Sequence, residues 1–518
     1  QNPPELTRNW SCGQEAAFRM MAILFGTVCT LDSQAARPER LNRVAMLAWQ
    51  TARHIAVNIN YARSQGNNHA ISEALWLITA GVVFGENFAP ASRWLSDGLD
   101  IMCREIRRQV MDDGSYAQHS MNYHRLVMDD LPWTFGILRA GGIVVPDVMR
   151  EKFEKLTCWI EEMADENTGR VPNYGPNDGA KVLPLSCCDY VDYRPTIQAA
   201  WYEVFGKSRY HAGCWNEKKL WLYGEESLDA PKSDVKKTAA FNAASGGYYV
   251  MRGRTSMAFT RCHTYTRRPN QNDMLHVDLW HEGKNILRDA GSFSYNAPEP
   301  WSGYFSSTAA HNTVTVNGEN QMVRGPRHLW FRWTKSRLLE WFVSDDGSIG
   351  FFSGEHYGYS RFGATHRRSI LRIGDGYVIL DEIIGRRKEM KTELNWRLIS
   401  DDWQAGFTGG GLRVVCPEAT ITVFAETGFD VSFDESGDAG PSGWESLYYG
   451  QKSPCPYIRV AGSSKAGTTK FVTIVSTGST EMFPAMLDAM KTDAAVAMRH
   501  ITEKFVDDVR HLTGMEMN

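Results

Sequence analysis

The chain has 518 residues, 43% of them hydrophobic, with a formal net charge of −4. That length exceeds one ordinary core and points to two or three domains, while so small a charge leaves no global field to recruit nucleic acid. No uninterrupted apolar run approaches the roughly 20 residues needed to cross a bilayer, so neither nucleic acid nor membrane is an expected partner. The 10 cysteines are scattered without CxxC or metal-finger spacing, and a bridge between the adjacent Cys187 and Cys188 would be strained.

Up to about residue 235 the period is helical. QEAAFRMMAILFG, ERLNRVAMLAWQTARHIAVNI, ISEALWLITAGVVF, ASRWLSDGLDIMCREIRRQVM, YHRLVMDDLPWTFGILRAGG and PDVMREKFEKLTCWIEEMA place apolar residues at i, i+3, i+4. Joined by short loops, they predict stacked antiparallel helix pairs over residues 1–235. Before the third stands SQGNNHAISE, with Asn67, Asn68 and His69 at a helix entrance. One asparagine can cap the first turn. A single cap leaves the other two polar residues unexplained, so capping and function both stand as readings.

Before the fifth helix comes DDGSYAQHSMNYHR, where Gly114 is expected to break the preceding helix and Asn122, Tyr123, His124 and Arg125 mark another entrance. If the hairpins stack around a ring, entrances gather at one rim, and residues about 55 apart in sequence face each other across a cleft. Alone, a tyrosine there is more often core. GRVPNYGPNDGAKVLPL follows, a stiff loop presenting Asn173, Tyr174, Asn177 and Asp178. Amides, a phenol and a carboxylate suit sugar hydroxyls; an Asx-turn stabilising itself is the alternative.

From about Ala239 the period is two, in GGYYVMRG, SMAFTRCH, LHVDLWHEG, HNTVTVNG and GYVILDEIIG, with turn signals between them. Residues 236–518 therefore read as an antiparallel β-domain, closed by a helical tail from about Ala485. Helices followed by strands define an α+β chain, and the crevice between two such domains is a natural ligand site. A two-residue turn at Gly283 and Lys284 pairs Asp278 with Asp289 and puts His276 on the same face. His311 opens the next strand, which closes at the Asn317-Gly318 turn, and can add a third ligand. Two imidazoles and a carboxylate with an open position suit a zinc-like or manganese-like ion, although a hydrogen-bonded His/Asp pair without metal has the same spacing. HLWFRW adds aromatic faces and Arg332, as binding surface or as core alternation.

Together NNH, NYHR after DGS, VPNYGPNDGA, LHVDLWHEG...LRDAGSFSYN and AHNTVTVNG...Q resemble, in order and spacing, the motifs of the heparinase II/III-like superfamily of polysaccharide lyases, from about Trp10 to Arg397. The resemblance implies an incomplete (α/α) toroid followed by an antiparallel β-sandwich, with β-elimination of uronate-containing polysaccharides in the cleft. It also implies further helices before Gln1. An N-terminus without Met fits a trimmed or processed chain, for which a periplasmic or secreted bacterial location is favoured and a cytoplasmic one stays open.

Elimination at a 4-linked uronate requires the carboxylate charge to be suppressed, because the C5 proton becomes removable only when developing charge is stabilised. Asn68 and His69 resemble the family's carboxylate-binding pair. Tyr123 matches the tyrosine that exchanges protons with C5 and O4; with an ordinary pKa of about 10 it needs a cation such as Arg125 nearby if it acts as base. Asn67, Asn122, His124, Arg125, Asn173, Tyr174, Asn177 and Asp178 are the expected substrate contacts, Asn67 also as a cap. His276, Asp289 and His311 match the ligands of one divalent ion, zinc or manganese. Some relatives carry a second catalytic histidine where this chain has Met274; either His69 and Tyr123 suffice, or another histidine such as His124 or His356 fills in.

The expected partner is an anionic polysaccharide: hyaluronan, chondroitin or heparan sulfate first, alginate next. Alternatives are a uronate C5-epimerase, which needs nearly the same groups, and a non-catalytic glycan-binding protein. A hydrolase would need paired carboxylates, for which Asp112 and Asp113 are available.

Overall fold

Apolar periodicity becomes helix wherever it stands in the first part of the chain. In the computed structural model, which describes residues 6–34, 36–86, 88–326, 329–385, 389–408, 411–435, 440–464, 467–477 and 507, the six segments are α1 (Gly13–Cys29), α2 (Pro38–Gln65), α3 (Asn68–Phe84), α4 (Ala89–Gln109), α5 (Met121–Ala140) and α6 (Asp147–Met163). Two more, α7 (Arg194–Phe205) and α8 (Asn216–Tyr223), escape the period reading. The buried residues of α7 form one contiguous run, Pro195 to Trp201, instead of a stripe. The tail from about Ala485 lies outside the described residues apart from Asp507, as does His328 of HLWFRW. Among the described residues, no helix is long and apolar enough to cross a membrane.

Two compact units divide the chain: residues up to Ala164 with Gly179–Val235, and Asp165–Asp178 with the residues from Lys236 onward. The centre of the first is α3, which packs against α1, α2, α4 and α5 and is buried without a break from Ala70 to Gly81. Its entrance depends on Gly66, whose left-handed φ of +59° ends α2 and turns the chain straight into α3. Gly114 plays another part than the one expected. The helix before it already stops at Gln109, and Gly114, at φ +86°, turns a small loop closed by a Val110–Tyr116 bridge.

In the second unit the named strand ladders are antiparallel. Strands β1 (Ala240–Ala243), β2 (Tyr248–Arg252), β3 (Ser256–Arg261), β4 (Val277–His281) and β5 (Lys284–Leu287) form one sheet in sequence order. Then come β6 (Val314–Val316) and a short hairpin of β7 (Val323–Arg324) and β8 (Trp330–Phe331). Strands β9 (Ser336–Val343), β10 (Ile349–His356), β11 (Ala364–Ile373) and β12 (Gly376–Gly385) run side by side, and four later strands extend them to an eight-stranded sheet. A four-stranded sheet has β13 (Met390–Arg397) between β6 and Tyr457–Ser464. One apolar cluster joins all three, with Met251 and Leu279 from the first, Ile370 and Val475 from the second, and Leu394 and Val460 from the third.

The β4–β5 hairpin turns one residue earlier than expected. Its corner is Glu282-Gly283, at φ +47° and +78°, and a bulge at Leu279/Trp280 then shifts the ladder so that Leu279 faces Leu287. Asp289 consequently lies beyond the end of β5 and not opposite Asp278 in the ladder. The Asn317-Gly318 turn stands where expected, with both residues at positive φ.

Candidate active site and metal-ligand cluster

Asn67 is the N-cap of α3, its side-chain oxygen accepting from the His69 N–H at 3.2 Å. Asn68 differs: its N–H donates to Gln118 Oε1 at 2.8 Å and its carbonyl accepts from Ser72 at 3.2 Å, so among the described residues its hydrogen bonds are all made by backbone. The side-chain amide remains available in a residue only 3% exposed. The carbonyl of Asn67 accepts from Gln109 at 2.9 Å, and Tyr116 holds both glutamines through its hydroxyl. These bonds pin the loop after α4 onto the start of α3. Two residues past Gln118, Ser120 caps α5 by accepting the Tyr123 N–H at 3.1 Å. NNH and NYH are thus brought together through Gln118, with half-buried His69 and Tyr123 at the two helix starts.

The neighbours of Tyr123 do other work than binding substrate. His124 is fully buried, stacked on Trp159 and bonded through Nε2 to the Leu156 carbonyl at 2.9 Å; burial pushes its pKa down to about 4, against the Leu156 contact. Arg125 lies between the rings of Tyr190 and Tyr193, its guanidinium carbon 4.3 and 4.2 Å from their centroids, and donates to the Tyr190 carbonyl at 2.5 Å. Asn122 accepts from the Tyr190 hydroxyl at 2.6 Å and from Arg125 at 3.2 Å. At 3.6 residues per turn Tyr123 and Arg125 project about 200° apart, so Arg125 is not the cation beside the phenol. Asp112 and Asp113 are likewise committed, to Lys152 at 2.9 Å and Ser115 at 2.6 Å.

Sequence reading missed Glu73, one helical turn beyond His69. It is 4% exposed, and a Cβ on Gly13 at the start of α1 would come within 2.6 Å of its carboxyl. Burial raises its pKa to about 8, outweighing the Gln14 backbone hydrogen bond. The signal was available as a lone carboxylate in an apolar run. The folded state keeps this proton up to about pH 8 whereas the unfolded chain releases it near 4.5, so the group's contribution is complete below pH 4.5 and is lost as pH rises to 8. Glu73→Gln should flatten this fall; denaturant melts at pH 5 and pH 8 that lose the same stability in variant and native chain would refute it.

In the second unit Asn173 donates to the Ser446 carbonyl at 2.8 Å, and Tyr174 is core: its hydroxyl is 3.3 Å from that of Tyr248, and Arg261 stands 4.8 Å from its ring centroid. Burial pushes the Tyr174 phenol far up. These two residues fasten the segment to the β unit. Asn177 and Asp178 are half-buried.

His276, Asp289 and His311 are buried, with one ligand atom from each lying within 4.8 Å of the others. His276 Nε2 stands 3.6 Å from Asp289 Oδ2 and 3.4 Å from Asp278 Oδ2, and His311 Nδ1 stands 2.8 Å from Asp289 Oδ2. Ligands at 2.0–2.2 Å from a tetrahedral ion lie roughly 3.4 Å apart, and His311 Nε2 is a buried nitrogen with no hydrogen-bond partner, so the donor set fits a divalent ion. Burial pushes the Asp289 carboxyl up, but the imidazoles of His311 and His276 prevail and hold it below the usual range. A metal-free arrangement also uses these groups: the Asn312 N–H reaches His276 Nδ1 at 3.0 Å, leaving that ring's proton on Nε2, toward the carboxylates.

The scaffold under the cluster is Arg368, fully buried, which donates to the carbonyls of Leu275 and Asn312, each at 2.6 Å and each next to a histidine of the set. Asp381 grips Arg368 at 2.7 and 2.9 Å, His366 meets Asp381 at 2.6 Å, and His356 meets His366 at 3.1 Å. His356 therefore ends a buried chain across β10, β11 and β12 and does not replace a histidine at 274. Met274 itself packs with Tyr265 and Met322, and Trp330 closes over them. In HLWFRW, Phe331 and Trp333 are exposed rather than core.

A helical unit followed by antiparallel sheets makes this an α+β chain. Residues 13–156 match the heparinase II/III N-terminus and residues 235–472 the heparinase II/III-like C-terminal family; the chain belongs to the heparinase II/III-like family. It is 25% identical over 381 residues to a heparin-sulfate lyase of Bacteroides stercoris, covering 69% of this chain and 49% of that protein. To a heparin-sulfate lyase of Pedobacter heparinus it is 22% identical over 346 residues, covering 65% and 47%. The chain thus spans about half the length of these curated relatives. Its fold is similar to a crystal structure of heparinase III, with TM-score 0.68 at 19% identity over 90% of this chain and 70% of that one. A Streptomyces coelicolor chondroitin AC lyase gives TM-score 0.53 at 13% identity, covering 94% and 70%.

Proposed function

We propose that this chain cleaves 4-linked uronate glycans by β-elimination, leaving an unsaturated uronate end. The observation that carries the reading is the uncommitted amide of Asn68, held at the first turn of α3 beside His69 and tied through Gln118 to the turn bearing Tyr123. Asn68, His69 and the positive end of α3 can take up the charge that develops on the uronate carboxyl as C5 loses its proton. Tyr123, starting as the phenolate, receives that proton and returns it to O4 as the C4–O4 bond breaks. A divalent ion held by His276, Asp289 and His311 would supply cross-linking charge in the β unit. Helix pairs around α3 support an incomplete (α/α) toroid, and the core shared by the sheets supports a β-sandwich.

The names of the relatives, heparin-sulfate and chondroitin lyases, favour glycosaminoglycans as substrates, with alginate next. Incubation with hyaluronan, chondroitin, heparan sulfate and alginate, read by near-ultraviolet absorbance of unsaturated ends, tests the reading. C5 inversion without absorbance would make the chain an epimerase; binding without either change would make it a glycan-binding protein. Asn68→Ala should lower kcat by about 10²–10³ with little change in KM, the cost of one oxyanion-type donor. A change confined to KM would mean that Asn68 grips ground and transition state alike.

A further inference from the structure

Cysteines gather at one place in the helical unit. Cys187 and Cys188 lie in the segment leading into α7, and Cys214 stands two residues before α8. The Sγ atoms of Cys188 and Cys214 are 3.3 Å apart across a sequence separation of 26, and both thiols are free. A disulfide of about 2.05 Å is only roughly 1 Å shorter than that contact. Non-covalent contacts already hold the two segments in this register. The Arg194 guanidinium lies over the Trp215 ring, 4.0 Å from its centroid, the Cys187 N–H donates to Glu217 at 2.7 Å, and Gln198 donates to Asn216 at 2.6 Å. Trp215, Asn216 and Glu217 directly follow Cys214, so the fold has met the ordering cost of bringing the sulfurs together before any bond forms.

The two thiols differ in a way that orders the chemistry. Cys214 is exposed, whereas Cys188 is half-buried. Burial, and then the Cys214 thiol beside it, push the Cys188 thiol up to about 12, against a hydrogen bond with Ser186. Cys214 is therefore the sulfur that an oxidant meets first. We propose that Cys188 and Cys214 form a dithiol site oxidised by a small disulfide such as glutathione disulfide, and that the resulting bond clamps the segment before α7 to the start of α8. The Cys214 thiolate attacks one sulfur of the oxidant, giving a mixed disulfide and one glutathione thiolate. Cys188 then gives up its proton, attacks the Cys214 sulfur and releases the second glutathione. Two protein thiols are oxidised to one disulfide, one glutathione disulfide is reduced to two thiols, and the two protons pass to the departing thiolates. Cys187 is left out, because it is the Cys188 sulfur that meets Cys214 and a bridge between adjacent cysteines is strained. The clamped segment also carries Tyr190 and Tyr193, which hold Asn122 and Arg125 of α5, so the bond anchors a wall of the helical unit and not a free loop. The site is independent of the lyase reading.

The test uses the whole chain, incubated with glutathione disulfide, trapped with an alkylating reagent and digested without reduction for peptide mass spectrometry. The expected product is a Cys188–Cys214 cross-linked peptide, lighter by two hydrogens than its two parts. It should persist in Cys187→Ser and be absent from Cys188→Ser and Cys214→Ser. Because the bond closes a loop spanning a separation of 26 residues, it should raise the melting temperature of the helical unit by about 5–10 °C. Dithiothreitol should return the melt to its starting point, and the same oxidant should leave the melt of Cys214→Ser unmoved. A bridge through Cys187, a glutathione adduct that stays on Cys214, thiols that remain free in excess oxidant, or a Cys188–Cys214 bond that leaves the melt unchanged would each overturn the site.

Discussion

Tyr123→Phe should abolish most turnover, by about 10²–10⁴-fold for each proton the phenol transfers, while fold and glycan binding persist. The variant removes a single oxygen from a half-buried side chain. The α5 cap is untouched, because Ser120 accepts from the backbone N–H of residue 123. Position matters for the acidity of the phenol as well. Arg125 is turned between Tyr190 and Tyr193, while Tyr123 belongs to the amino-terminal turn of α5, whose dipole contributes positive potential. Arg125→Met is the contrast: it removes a buried cation from two rings and a carbonyl, so it should lower thermal stability first and activity only as a consequence. Initial rates of double-bond formation beside melting curves for both variants separate the cases. Near-native rates in Tyr123→Phe would sink the assignment.

The four residues at the start of α5 show what a sequence can carry. Asn122, Tyr123, His124 and Arg125 read alike as polar residues at a helix start, but only the helix's rotation relative to Trp159 and Tyr190 decides which faces inward, and those partners are 35 and 68 residues away. Local signals fared better. The Gly66 reversal and the Asn67 cap are properties of neighbouring residues, and α1 to α6 follow from periodicity because each has one wet face or a long apolar run. α7 was hidden because its burial is contiguous, and α8 because its 8 residues give barely two turns. The β4–β5 corner was misread by one residue since a bulge compensates the shift further along, and bulges leave little mark on alternation. His276, Asp289 and His311 were nonetheless legible by type. What could not be read was Arg368 and Asp381 beneath them, buried charged residues inside neighbouring strands, with Arg368 reaching loop carbonyls up to 93 residues distant.

Metal removal should destabilise the β unit and halt catalysis together. His276 precedes β4 and Asp289 follows β5, both in the five-stranded sheet, whereas His311 precedes β6, which belongs to the four-stranded sheet. An ion held by all three therefore ties two sheets at one point. At a free-ion concentration a thousand times Kd, such binding adds about 4 kcal/mol of stability, and at roughly 2–4 °C per kcal/mol a chelator should lower Tm by about 10 °C. Arg368→Met offers a second route to the same end: the three ligands remain, but the Leu275 and Asn312 carbonyls lose their shared donor, so ion affinity should fall even though no ligand is missing. Tyr123, in the other unit, keeps its place on α5 throughout, so the activity loss should be recovered by adding metal back. Elemental analysis decides between the metal centre and the metal-free His/Asp arrangement. A native chain without metal, or His311→Ala with equal content, would establish that the Asn312 bond to His276 describes the resting state and that no ion belongs there.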